Sequence, residues 1–256
     1  MNHLCAIVPS FNHCETIGGV IGELRRAGLP VIVVDDGSDE PARTALASLP
    51  SSDGGVTVHR LDTNQGKGGA VMAGLRAASA AGFTHALQVD ADGQHDLSAL
   101  NLLIAAQLRH PQATVCGNPV YDASAPMGRR IGRRITRFWV AVETLSLRMP
   151  DTMCGFRIYP LAPMMALLSR VRLGTRMDFD IEVLVRLAWS GIPIATVPVM
   201  VRYPDGNSSN FKMLYDNCRI SWMHTRLVVQ LPLKLPGLLL RGVTVLEYTG
   251  RGSNDD

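Results

Sequence analysis

Short apolar runs alternate with longer segments of helical spacing through the first half of the chain. Leu4–Val8 predicts a strand, ended by Pro9-Ser10-Phe11-Asn12. Thr16 to Ala27 carries Ile17, Val20, Ile21 and Leu24 at helical spacing and stops at Gly28. Val31–Val34 is β-branched throughout and is stopped by Asp35-Asp36-Gly37-Ser38. A helix over Pro41–Leu49, a strand over Val56–Val58 and an alanine-rich helix over Ala70–Ala81 follow. His85–Val89 predicts a buried strand, then a helix lies near Leu97–Leu108 and a strand at Ala113–Cys116. Repeated βα units of this length predict an α/β fold, with a Rossmann-like, mostly parallel sheet flanked by helices.

After Gly128 the pattern changes. Arg130, Arg133, Arg134 and Arg137 fall at i, i+3, i+4 and i+7 and share one helical face, while Ile131, Ile135, Phe138 and Val142 lie on the other. Phe179–Trp189 predicts a helix, Ile194–Val197 a strand, and Asn210–Val229 a longer helix. Leu227–Leu246 is apolar but broken by Gln230, Pro232, Lys234, Pro236 and Arg241, which predicts an interfacial segment and not a membrane span. The expected organisation is a domain over residues 1–210, a C-terminal helix with an apolar, membrane-interfacial segment over 211–250, and a disordered tail over 251–256.

A chain of 256 residues that is 46% hydrophobic and 18% charged can bury a full core. Its net charge of +3 hides an asymmetry: residues 1–128 sum to −5, whereas residues 129–176 hold ten arginines against Glu143 and Asp151. A basic block facing an acidic half suits a phosphate-bearing ligand, although a solvated basic helix would look the same. The block carries few interleaved aromatics, so nucleic acid is not the expected partner. The five cysteines are scattered and odd in number, which argues against a disulfide framework or a zinc site and fits a reducing compartment. No signal-peptide pattern opens the chain.

The chemistry concentrates at strand ends. Asp90-Ala91-Asp92-Gly93-Gln94 places two carboxylates and an amide after a buried strand, a hard oxygen-ligand set able to hold a divalent cation on a diphosphate. Pro9-Ser10-Phe11-Asn12 and Asp35-Asp36-Gly37-Ser38 end two other strands, and in a parallel sheet the three clusters gather on one edge. A carboxylate there can accept from a base N–H or from ribose hydroxyls. His95 reads as an orienting or packing residue. Asn64-Gln65-Gly66-Lys67-Gly68-Gly69 precedes a helix but is neither a P-loop nor a dinucleotide fingerprint; it is a tight strand-to-helix entry or a phosphate cradle. Asp151–Arg157 reads as a polar turn bearing an arginine. Asp180 and Glu182 sit at a helix start, where carboxylates are also good helix chemistry.

Taken in order, Pro9-x-Phe11-Asn12-x-x-Glu15, Asp35-Asp36-Gly37-Ser38, Asn64-x-Gly66-x-Gly68, Asp90-x-Asp92-x-Gln94-His95 and Asp151-Thr152-x-x-Gly155-Phe156-Arg157 resemble the family-2 glycosyltransferases. They look most like the dolichyl-phosphate mannose synthase and polyprenyl-phosphate glycosyltransferase branch, as does the later Phe179-Asp180-x-Glu182. The resemblance covers roughly residues 4–210. It implies a GT-A fold, a UDP- or GDP-sugar donor, Mg2+ or Mn2+, a lipid-linked acceptor and a place at the cytoplasmic face of the membrane. By position, Pro9, Phe11, Glu15, Asp36 and Asp90 would line the nucleotide sugar, and Asp90, Asp92 and Gln94 would hold metal and diphosphate. Arg137 and Arg157 match arginines of the branch, and Arg133 and Arg134 join them as acceptor-phosphate candidates by helical spacing. Phe11 stands where tyrosine is usual, Met153-Cys154 departs from the common Thr-Ser, and Asn207–Asn210 lacks a lysine often found there.

The resemblance implies inversion by direct displacement. A polyprenyl phosphate acceptor is already ionised and needs no general base. A hydroxyl of a lipid, pigment or polysaccharide would need one, for which Asp180 and Glu182 are the candidates. A nucleotide-sugar-binding module without turnover is the more distant alternative. A nucleotidyltransferase would carry a Gly-rich basic loop after the first strand, which Pro9–His13 does not supply.

Overall fold

The computed structural model describes residues 3–50, 52–93, 96–120, 127–200 and 212–250. Gln94, His95, Asn207–Asn210 and the tail from Arg251 lie outside them.

Strands β1 (Leu4–Ser10), β2 (Val31–Asp35), β3 (Val56–Arg60) and β4 (His85–Gln88) alternate with helices α1 (Ile17–Arg26), α2 (Ala42–Ala47) and α3 (Lys67–Ala80). A short 3-10 turn and α4 (Leu100–Arg109) lead to β5 (Thr114–Val120), then α5 (Met127–Thr144), β6 (Arg157–Pro160) and α6 (Leu161–Arg170). The chain continues through α7 (Phe179–Trp189), β7 (Ile194–Met200), α8 (Met213–Arg241) and β8 (Val245–Glu247). The eight strands form one sheet in the order β3-β2-β1-β4-β6-β5-β7-β8. β6 alone runs antiparallel to its neighbours.

Alternation along each strand divides the core. Ala6 and Val8 of β1 pack with α1 and α4 on one face, whereas Cys5 and Ile7 face α3, α6 and α7 on the other. β1 lies between β2 and β4, so the chain reverses its direction of travel across the sheet there. Such a switch point opens a crevice outside the carboxyl ends of the strands.

Two elements depart from the sequence pattern. β6 and α6 follow directly on the Asp151–Arg157 turn; β6 is too short to show a period, and α6 buries Leu161, Met164 and Leu167 at a helical spacing that the sequence pattern above does not include. α8 does not stop near Val229 but runs through Pro232 and Pro236 to Arg241. The two prolines are four residues apart and exposed, so both missing N–H groups fall on one side of the helix, the side open to solvent. α8 packs on α5 and α7 through Met223, Leu227 and Leu238, and β8 then pairs with β7. No helix among the described residues is long and apolar enough to cross a membrane.

Candidate active site

The carboxyl edge of the sheet collects the three polar clusters. Ser10 and Asp35 are register partners at the ends of β1 and β2. Just past β4, the Val89 N–H donates to the Ile7 carbonyl at 3.0 Å. The loops are tied to one another. Asn12, at a φ of 59°, donates its backbone N–H to Ser38 Oγ (3.0 Å) and accepts from the Asp39 N–H (2.9 Å). Thr16 Oγ1 donates to the Ala91 carbonyl (2.6 Å), fixing the start of α1 against the Asp90–Asp92 turn.

Lys67, the first residue of α3, occupies the centre. Its Nζ stands 2.8 Å from Asp90 Oδ2 and 2.8 Å from Asp180 Oδ2. Burial works against the ammonium, but the Asp180 and Asp90 carboxylates outweigh it and hold its pKa above the ordinary lysine value. Gly66 sets the approach: its φ of 88° suits glycine, and a Cβ there would stand 2.7 Å from the Thr175 carbonyl. Gly69 N–H donates to that same carbonyl (2.9 Å), so the entry to α3 is clamped on the turn before α7. Asp180 also accepts from Gln88 Nε2 (3.0 Å), and Gln88 in turn accepts from the Tyr159 hydroxyl (3.1 Å). Gly155 closes the cluster, for a Cβ there would stand 2.7 Å from Lys67 Nζ and 3.0 Å from Asp90 Oδ2.

The other expected site residues divide. Pro9 is buried inside β1, Phe11 is half-buried at the rim, and Glu15 is exposed before α1. Asp36 is buried and accepts from the N–H groups of Gln65 (2.7 Å) and Gly66 (2.8 Å), so it holds the loop that delivers Lys67. Burial raises its pKa, against the pull of those two donors and of Arg176. Asp92 is half-buried in the turn after Asp90. Arg157 is fully buried and donates to the carbonyls of Asp180 and Thr152, each at 2.6 Å, forming a wall of the cluster. Glu182 is fully buried away from Lys67, where it takes Arg186 (2.8 Å), Arg226 (3.2 Å) and the Gly174 N–H (2.8 Å).

On α5, Arg133 is ion-paired to Asp151, which anchors the helix to the turn preceding Gly155. Arg134 and Arg137 are exposed and line a cavity of about 280 Å³ with Phe138, Leu147, Met149 and Pro150. The apolar positions beside these arginines are open too: Ile131 is 54% exposed, Ile135 55% and Phe138 62%, while α5 turns Thr136, Val140 and Glu143 inward. Lys67 belongs to the Asn64–Gly69 loop read as a strand-to-helix entry or phosphate cradle, whereas Gln88 and Tyr159 stand in no motif. A glutamine inside the apolar run His85–Val89 was the available signal for one of them.

Among the described residues, no group of three or more histidine, cysteine, aspartate or glutamate side chains could hold a metal ion. Two carboxylates do converge on one ammonium, however, so this pocket is built for positive charge among hard oxygen donors. Asp90 and Asp180 are the carboxylates around that charge, and Asp92 follows two residues on in the same turn.

The sequence profile of Glycosyl transferase family 2 matches residues 5–169. A dolichyl-phosphate beta-glucosyltransferase of Dictyostelium discoideum is 29% identical over 250 residues, which is 87% of this chain and 75% of that protein. An undecaprenyl-phosphate mannosyltransferase of Micrococcus luteus is 27% identical over 203 residues, covering 75% of this chain and 81% of its own. Among solved structures, mannosyl-3-phosphoglycerate synthase from Rubrobacter xylanophilus superposes with a TM-score of 0.64 at 20% identity, over 91% of this chain and 74% of that one. A mannosyltransferase of Pyrobaculum calidifontis, solved with GDP-Man and Mn2+, gives 0.55 at 16% identity, over 93% and 73%. These likenesses show that the fold is of the GT-A type.

Proposed function

The chain belongs to glycosyl transferase family 2 and is a glycosyltransferase; on that premise we propose that it transfers a sugar, with inversion, from a nucleotide-diphospho-sugar to a polyprenyl phosphate at the cytoplasmic face of a membrane. The observation that carries the donor half is the convergence of Asp90 and Asp180 on one cation at the switch point of the sheet. Asp90 and Asp92 would hold Mg2+ or Mn2+, whose charge, when bound, offsets the charge building on the departing diphosphate. Phe11 at the rim offers a stacking face to the nucleobase.

The acceptor half rests on what Asp180 and Glu182 are doing. Asp180 is ion-paired to Lys67 and accepts from Gln88, and Glu182 is saturated by two arginines and a backbone N–H. Both oxygens of each carboxylate are thus engaged, so an acceptor hydroxyl would have to displace one of these partners to reach a base. An acceptor that arrives ionised needs none, which favours a phosphate over a hydroxyl. The named functions of the Dictyostelium and Micrococcus relatives point the same way. Arg134 and Arg137, beside the apolar wall of their cavity, would take the phosphate and the first prenyl units. The basic and neighbouring apolar positions of α5 are both open, the pattern of a helix lying in a membrane interface.

The test is product formation from UDP- and GDP-sugars with a polyprenyl phosphate or the matching polyprenol, each with Mn2+ or chelator. Metal-dependent transfer to the phosphate alone is the expected result. Transfer to the polyprenol instead would move the reading to a hydroxyl acceptor.

A further inference from the structure

Lys67 binds the same carboxylate that the proposed donor site needs. The ammonium sits between Asp90, whose side chain keeps 22% exposure, and Asp180, which keeps 4%. Arg186, by contrast, pairs with Glu182 where both side chains are buried. The Lys67 position is also enforced from several sides: Asp36 holds the Gln65–Gly66 backbone, Thr175 clamps the Gly69 N–H, and Gly155 leaves room for nothing larger than a hydrogen against Nζ. A divalent cation and an ammonium on one carboxylate oxygen repel each other at such distances. Metal binding at Asp90 therefore has to contend with Lys67.

We infer that Lys67 is a positioning residue that competes with the divalent cation for Asp90, so that metal binds weakly alone and well only together with the nucleotide diphosphate. With the diphosphate present, its negative oxygens attract the ammonium, which leaves Asp90 and stays on Asp180. Asp180 thus retains the lysine at the site through the exchange. The arrangement makes metal uptake depend on the donor. This rests on the proposed donor site at Asp90 and Asp92.

The experiment is calorimetric titration of Mn2+ alone, and of Mn2+ with UDP or GDP, into wild type, Lys67→Met and Lys67→Arg. Removing the competing charge should tighten binding of Mn2+ alone by about tenfold or more in Lys67→Met. Lys67→Arg, which keeps the charge, should stay near wild type. Unchanged or weaker Mn2+ binding by folded Lys67→Met overturns the inference, as does equal tightening in both variants, which would mark an effect of space. If circular dichroism shows Lys67→Met to be unfolded, a crystal structure of wild type with Mn2+ and the nucleotide decides. Nζ beyond about 4 Å from Asp90 supports the exchange, and Nζ still paired to Asp90 refutes it. Wild type that binds no Mn2+ even with nucleotide removes the donor site itself, an outcome distinct from unaltered metal binding in the variant.

Discussion

Asp180 and Glu182 stand two positions apart on the first turn of α7 and belong to different networks. Asp180 Oδ2 meets Lys67 Nζ at 2.8 Å at the crevice, whereas Glu182 is enclosed by Arg186, Arg226 and the Gly174 N–H. Neutralising them should therefore have opposite signatures. Asp180→Asn should lower kcat by about a hundredfold through misplacement of Lys67, with little change in melting temperature. Glu182→Gln leaves the buried Arg186 without its counter-ion and should cost about 3 kcal/mol of stability in urea melts. Equal effects of both variants on turnover, with no loss of stability in either, would contradict this assignment.

Gly155 is a test of space. Gly155→Ala places a methyl within 2.7 Å of Lys67 Nζ, 2.9 Å of Gln88 Nε2 and 3.0 Å of Asp90 Oδ2. The cluster must open to admit it. Turnover should fall by at least about tenfold, while the chain stays folded by circular dichroism. Full activity in this variant would mean that the cluster lies outside the reacting region.

Asp36 gives a pH signature. Burial is the main cause that raises its carboxyl above the ordinary value. The folded chain therefore keeps that proton over a pH window in which the unfolded chain has already lost it. Its contribution is fully present below the unfolded pKa of about 3.9 and declines as pH rises through the folded value. Asp36→Asn cannot titrate. The stability of wild type relative to this variant should thus decrease as pH rises from about 4, read from urea melts at successive pH values. A relative stability that increases over the same range would reverse the sign and refute the account.

The α5 surface separates donor from acceptor. Arg134→Gln with Arg137→Gln should raise the KM for polyprenyl phosphate by about tenfold or more, because two charge-assisted contacts are lost, and leave nucleotide affinity unchanged. The same double variant should sediment less with anionic liposomes. Equal weakening of donor binding would place these arginines elsewhere in the reaction.

Much of this was readable along the chain, for identifiable reasons. The strands that end at Ser10, Asp35 and Gln88 are short apolar runs closed by polar turns, and parallel pairing alone brings such turns to one edge. β6 was hidden because it is four residues long, begins at a charged residue and runs against its neighbours. The clasp around Lys67 was hidden for another reason. Asp90 and Asp180 are distant in sequence, and only the docking of α3 on the turn before α7 makes them neighbours. Arg157 reads as a phosphate contact from its motif, yet its Nη1 and Nη2 are engaged by two backbone carbonyls in the wall of the site. Gln94, the third expected metal ligand, lies outside the described residues.

The central claim is a metal-dependent nucleotide site at Asp90 and Asp92. Calorimetric titration of UDP, GDP and their sugar conjugates, with Mn2+ or with chelator, into wild type and Asp92→Ala tests it most directly. The account predicts that one nucleotide binds only with metal and that Asp92→Ala abolishes this binding. Binding that survives the chelator or the substitution, or no binding of any nucleotide, would contradict it.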